Sequence, residues 1–90
     1  MPEIAHKKDQ SRFELMEEGK KVGEMTYSAS DDRMIINHTE VDEQLSGKGF
    51  GKKLVEAGVL YARENNIKLV PMCSFAQKTI DENSDWQDVL

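Results

Sequence analysis

The chain has 90 residues, 32% of them charged and 38% hydrophobic, with 12 basic side chains against 17 acidic ones and a net charge of −5. That length fits one domain, residues 1–90, which buries only roughly 60% of the surface its unfolded form exposes. The balance excludes a disordered tail and a nonspecific nucleic-acid binder, whose affinity comes from cation–phosphate contacts.

The longest apolar runs, such as Gly58-Val59-Leu60, are too short to cross a bilayer, and Met1 to Gln10 lacks the apolar stretch of a signal peptide. A cytoplasmic protein without a membrane partner is therefore expected. Cys73, the single cysteine, has no internal disulfide partner and rules out a Cys-rich zinc site, so no metal is expected.

Residues 1–10 read as a flexible arm, frayed or pairing at an edge. From Ser11 the pattern becomes strand: Phe13 and Leu15 alternate with Arg12, Glu14 and Met16, and Glu18-Gly19-Lys20 supplies a turn. A second strand covers Lys21 to Ala29, with Gly23, Met25 and Tyr27 on one face. Ser30-Asp31-Asp32 is the next turn cluster. The third strand runs from Arg33 to about Val41, with Met34, Ile36 and His38 sharing a face opposite Ile35, Asn37 and Thr39. These three form an antiparallel meander.

After Asp42 a polar loop leads into Gly47-Lys48-Gly49-Phe50-Gly51 and then a helix. Its apolar face carries Leu54, Val55, Gly58, Val59 and Ala62, and Asn65-Asn66 suit a left-handed C-terminal cap. Ile67 to Met72 reads as a buried fourth strand, parallel to the third because a helix separates them. Ser74 is the expected N-cap of a short helix bearing Phe75, Ala76, Thr79 and Ile80, and Trp86, Val89 and Leu90 a tail that folds back. The expected fold is α+β with a mixed sheet. Met16, Met25, Met34 and Met72 are assigned to the core, and His6 to the surface.

The glycine loop carries the chemistry. Glycine lets backbone approach a ligand, and the first turn of a helix offers unpartnered N–H groups and a partial positive charge to a phosphate. Lys48, Lys52 and Lys53 add charge. A Walker loop fails because Ser46 stands five before Gly51 and Lys53 follows Lys52; a Rossmann fingerprint fails because Lys52 takes its third glycine position and three strands precede the loop.

The loop resembles the acetyl-CoA signature of the GNAT superfamily of N-acetyltransferases, [Gln/Arg]-x-x-Gly-x-[Gly/Ala]. Gly49 and Gly51 fill its small positions, and Ser46 departs from its Gln or Arg. The flanking runs His38-Thr39-Glu40-Val41, Gly51-Lys52-Lys53-Leu54-Val55 and Pro71-Met72-Cys73-Ser74-Phe75-Ala76 extend the resemblance over roughly residues 11–88, to small single-domain GNAT-like proteins.

The resemblance implies a truncated GNAT-like fold in which the third and fourth strands splay apart around the cofactor's pantetheine arm. It also implies acetyl transfer from acetyl-CoA to an amine, on a small molecule or on a peptide lysine or N-terminus. The arm would pair with backbone from Thr39 to Val41. Ser46, Gly47, Lys48, Gly49, Phe50, Gly51, Lys52 and Lys53 would surround the pyrophosphate, and the thioester would fall beside Cys73. Cys73 is then a candidate nucleophile or simply part of the cofactor site, and His38 and Glu40 are candidate bases. Larger relatives build the acceptor pocket from elements that this chain lacks, so a non-catalytic acyl-CoA-binding module is the alternative, and a monomer or weak dimer is expected.

Overall fold

The computed structural model describes residues 3–43 and 49–90. Its elements are β1 (Glu3–Lys7), a 3-10 turn (Lys8–Gln10), β2 (Arg12–Glu17), β3 (Lys20–Ala29), β4 (Arg33–Val41), α1 (Phe50–Glu64), β5 (Lys68–Pro71), α2 (Ser74–Asp81) and a 3-10 helix (Ser84–Val89). The five strands described lie in chain order, every neighbouring pair antiparallel except β4 and β5, which are parallel across the α1 crossover. Of the two fates open to residues 1–10, Glu3–Lys7 take the paired one, against β2.

Local sequence explains the joints. Between β2 and β3 only two residues turn the chain, Glu18 at φ 52° and Gly19 at φ 79°, both left-handed as the right-handed twist of a tight hairpin demands. Helix α1 ends as the asparagines suggested: Asn66 sits at φ 54°, its N–H donates to Arg63 O at 3.3 Å, and Ile67 N–H donates to Ala62 O at 3.0 Å. Those two bonds satisfy carbonyls that the helix end would otherwise leave open.

Both helices cover one face of the sheet. Leu54, Val55, Val59 and Ala62 of α1 are fully buried against Leu15, Met25, Met34, Ile36 and Leu69. Each large aliphatic side chain so buried contributes about 1.5–3 kcal/mol over exposure. Gly58 faces the sheet closely enough that a Cβ there would lie 2.8 Å from Met25 Cε. Trp86 and Val89 of the tail are buried too, held by Arg63, which donates to Asp88 Oδ1 at 2.7 Å and Oδ2 at 2.9 Å. Leu90 stays exposed.

Three sequence assignments are corrected. Met72 is 69% exposed and Met16 only half-buried, because β5 ends at Pro71 and Met16 projects from the face the helices leave open. His6 is not a surface residue: it projects from β1 toward α1, stacks on Phe13 at 4.1 Å between ring centroids, and shares a 2.6 Å hydrogen bond with the Tyr27 hydroxyl. Burial, aided by the positive charge of Lys8, holds the imidazole below its ordinary pKa. The N-cap of α2 is Cys73 rather than Ser74, since Cys73 keeps extended backbone (φ −81°, ψ 128°) and Ser74 is already helical.

Candidate functional site

Strands β4 and β5 pair from Arg33↔Lys68 to Ile36↔Pro71, and there they part. Met72 and Cys73 both aim their N–H groups at Ile36 O, at 3.1 and 3.2 Å, after which the chain turns into α2. Strand β4 continues to Val41, still paired with β3. Asp42 N–H donates to Val22 O at 2.7 Å, so by antiparallel alternation Glu40 and His38 also bond toward β3. Thr39 and Val41 therefore present their backbone N–H and C=O toward the gap.

A bulge decides what faces where. Tyr27 lies opposite Ile36 but Thr26 lies opposite His38, so β4 carries one extra residue, Asn37. Beyond it the faces exchange. Met34 and Ile36 are buried on the helix side, and after the bulge Thr39 and Val41 take that side. His38, which the alternation had placed with Met34 and Ile36, projects from the opposite face with Glu40; their Nε2 and Oε2 lie 3.7 Å apart, at 62% and 71% side-chain exposure.

On the helix side a cavity of about 460 Å³ occupies the gap. Thr39, Val41, Gly49, Phe50, Gly51 and Lys52, all assigned to the cofactor site from sequence, line it, and Phe75, Thr79, Glu82 and Asn83 line it as well. The second group was not assigned to the site from sequence. Its signal was there in the helical spacing 75, 79, 82, 83, which aims one edge of α2 and its end in a single direction. Lys53 is exposed and outside this lining. Ser46, Gly47 and Lys48 lie outside the described residues.

The start of α1 suits an anion. Gly49, its N-cap, is at φ 80° and offers no side-chain cap, no acid stands in the first turn, and among the described residues the first helical bond in this turn is Lys53 N–H to Gly49 O at 3.1 Å. The residues before Lys53, Gly49 to Lys52, line the cavity, and their amides have no intrahelical acceptor among the described residues. Lys52 is exposed there, its Nζ 6.0 Å from the Trp86 ring centroid. The Phe75 ring lies so close that a Cβ at Gly51 would come within 2.6 Å of its Cζ. These features fit coenzyme A: uncapped amides for a diphosphate, an open strand edge for an amide-bearing arm.

Cys73 sits where the strands part, half-buried and packed on the core. Burial pushes its thiol pKa up, but the amides of Ala76 and Phe75 and the hydroxyl and amide of Thr39 outweigh it, leaving the thiol below its ordinary value. Thr39 Oγ1 is buried without a hydrogen-bond partner among the described residues, so it acts on the sulfur as a nearby dipole rather than an aligned bond. Among the described residues no group of three or more His, Cys, Asp and Glu side chains could hold a metal, and no helix is long and apolar enough to cross a membrane.

The pattern of the GCN5-related N-acetyl-transferase family matches residues 12–89. A GCN5-like protein from Staphylococcus aureus, solved in solution, is 38% identical, covers 97% of this chain and 85% of its own, and superimposes with a TM-score of 0.75. The fold also matches the ribosomal-protein-S18-alanine N-acetyltransferase of Escherichia coli (17% identity, 79% of this chain, TM-score 0.69). It likewise matches a GNAT family acetyltransferase of Elizabethkingia anophelis with acetyl-CoA bound (19%, 81% and 0.65). This chain spans about half of those two larger proteins, 49% and 51%. No curated protein matches it by sequence. With the family pattern running through cleft and core alike, the chain belongs to the GCN5-related N-acetyltransferases.

Proposed function

We propose that this chain transfers the acetyl group of acetyl-CoA to an amine, using the two faces of the sheet for the two substrates. The observation that carries the reading is the parting of β4 and β5 beside an uncapped helix start. The amides of Phe50, Gly51 and Lys52 would hold the pyrophosphate, with Lys52 adding charge. The backbone groups that Thr39 and Val41 turn away from β3 would hold the pantetheine arm, setting the acyl end beside Cys73, whose thiol the Thr39 amide already contacts.

Acetyl-CoA supplies an activated thioester. An amine would approach the acyl carbon from the side where the exposed His38 and Glu40 project. The amine lone pair forms the C–N bond as the C–S bond breaks, the sulfur leaves with the electron pair, and the amine proton passes to the His38–Glu40 pair. Orientation supplies much of the rate, since well-placed reactants reach effective molarities of roughly 10⁵ M or more. Cys73 lines the acyl position in this scheme; a covalent detour through its sulfur would leave an acetylated protein detectable by mass.

A non-catalytic acyl-CoA-binding module is the second reading, favoured by the fact that the match reaches only 49% and 51% of the two larger proteins and leaves the rest of each without a counterpart in the aligned residues. One experiment separates them: addition of acetyl-CoA with a panel of small amines and lysine peptides, following free thiol release and the amide NMR signals of residues 49–53. Shifts with amine-stimulated release support the transferase. Shifts without release support the module, and unmoved amides overturn both.

A further inference from the structure

The sheet has an edge that the cleft does not use. β1 bonds to β2 on one side and to no strand among the described residues on the other, whereas the opposite edge, β5, is only four residues long and ends in Pro71. An open strand edge is a template for another strand, and proteins ordinarily blunt it with a charge such as lysine. β1 carries Lys7, but also Glu3 four residues earlier on the same face.

The charges on this edge are arranged to match themselves. If two copies of Glu3–Lys7 run antiparallel with Ala5 opposite Ala5, each Glu3 faces a Lys7 and each Ile4 faces a His6. Pairing about Ile4 or His6 instead would leave those opposite charges unmatched. Pairing with odd residues facing even ones would set the helix-side residues Ile4 and His6 against the open-side residues. Lys7 also lies beside Arg12 on β2, a like-charge neighbour, while Arg12 is engaged with Glu14 at 2.8 Å. Neither Glu3 nor Lys7 has an ion-pair partner among the described residues. An incoming Glu3 would supply Lys7 with one.

We infer that β1 is an interface for a second copy of this chain, the two strands pairing antiparallel about Ala5 into one continuous sheet with a two-fold axis through it. The symmetry is isologous, so it closes at two copies. Both clefts stay open, because β1 lies three strands from β4. The pairing covers only a five-residue edge, well below the roughly 1,000 Å² of a stable interface, so the dimer forms at high concentration. This inference stands independently of acetyl transfer.

Sedimentation velocity between about 20 μM and about 1 mM tests it on the intact chain. The wild type should shift from monomer toward dimer across that range. Lys7→Glu alone and Glu3→Lys alone should each stay monomeric, because each faces like charges across the dyad. An equimolar mixture of the two variants should associate again, at least about five-fold more strongly than either alone, a margin that corresponds to one recovered pair of about 1 kcal/mol. Restoration on mixing also shows that both variants are folded. A wild type that remains monomeric throughout, variants that dimerise like the wild type, or a mixture no stronger than its components would overturn it.

Discussion

At Cys73 two opposing influences meet in one side chain. Withdrawal from water favours the neutral thiol, while the amides opening α2 and the Thr39 dipole favour the thiolate, and the second set prevails. More thiolate is then present at a given pH than on a free cysteine, so the alkylation rate plotted against pH should rise at lower pH than for a free thiol. Thr39→Val, which deletes the hydroxyl, should move that rise toward higher pH; iodoacetamide labelling followed by mass spectrometry measures both. Cys73→Ala should leave affinity for coenzyme A within about two-fold, because in the proposed geometry the sulfur contacts the acyl end and not the phosphates. The sequence placed Cys73 between the end of a strand and the start of a helix, and it sits there, its N–H donating to Ile36 O where β4 and β5 part, outside the lining of the cavity. His6 shows the opposite case. Nothing in its flanking residues marks it as packed, since Phe13, Tyr27 and Tyr61 come to it only through strand pairing and the return of α1.

Among the elements, α1 was the most legible, its buried stripe and asparagine cap both written in local spacing. Asn66 gives a direct check. At φ 54° an alanine pays the left-handed penalty, so Asn66→Ala should cost about 1–2 kcal/mol, while Asn66→Gly should hold or slightly raise stability. For a chain of this length each kcal/mol is roughly 4–8 °C in Tm, well within reach of a melting curve. Strand β4 was legible only in part. Alternation predicts facing residues until a bulge intervenes, and the bulge at Asn37 is recorded in the register against β3 rather than in β4's own composition. Met34, Ile36 and His38 therefore looked like one face when the last of them belongs to the other. The loss matters for chemistry, because the same displaced residue that turns His38 and Glu40 away from the helices turns Thr39 and Val41 toward the cavity.

For the whole molecule, a sheet covered on one side and a small core leave little stability in reserve. A ligand bound across β4, α1 and α2 would tie together elements that otherwise meet mainly through side chains. At a coenzyme A concentration one hundred times its dissociation constant, linkage adds about 2.7 kcal/mol, and Tm should rise by roughly 10–20 °C. Gly49→Glu, which puts an anion where the diphosphate would lie and a side chain on a φ of 80°, should melt lower and show almost no such rise. A scan with and without the ligand decides it. The general plan at this scale, mixed sheet with a parallel crossover, could be read from the order of periodic segments alone. The far wall of the cavity was legible only in part: the spacing of Phe75, Thr79, Glu82 and Asn83 puts them on one edge of α2 and its end, but that this edge faces the cavity is decided by how the helix packs in the fold.

The early separation of β4 from β5 has a further consequence for the chain before any ligand binds. A strip of main chain that meets no further strand among the described residues is as welcoming to a stray extended peptide as to its proper guest, and a chain with such a seam risks being invaded by its own unfolded siblings. A resident cofactor would then serve as a stopper as well as a reagent, and solubility during expression would track the cell's supply of it.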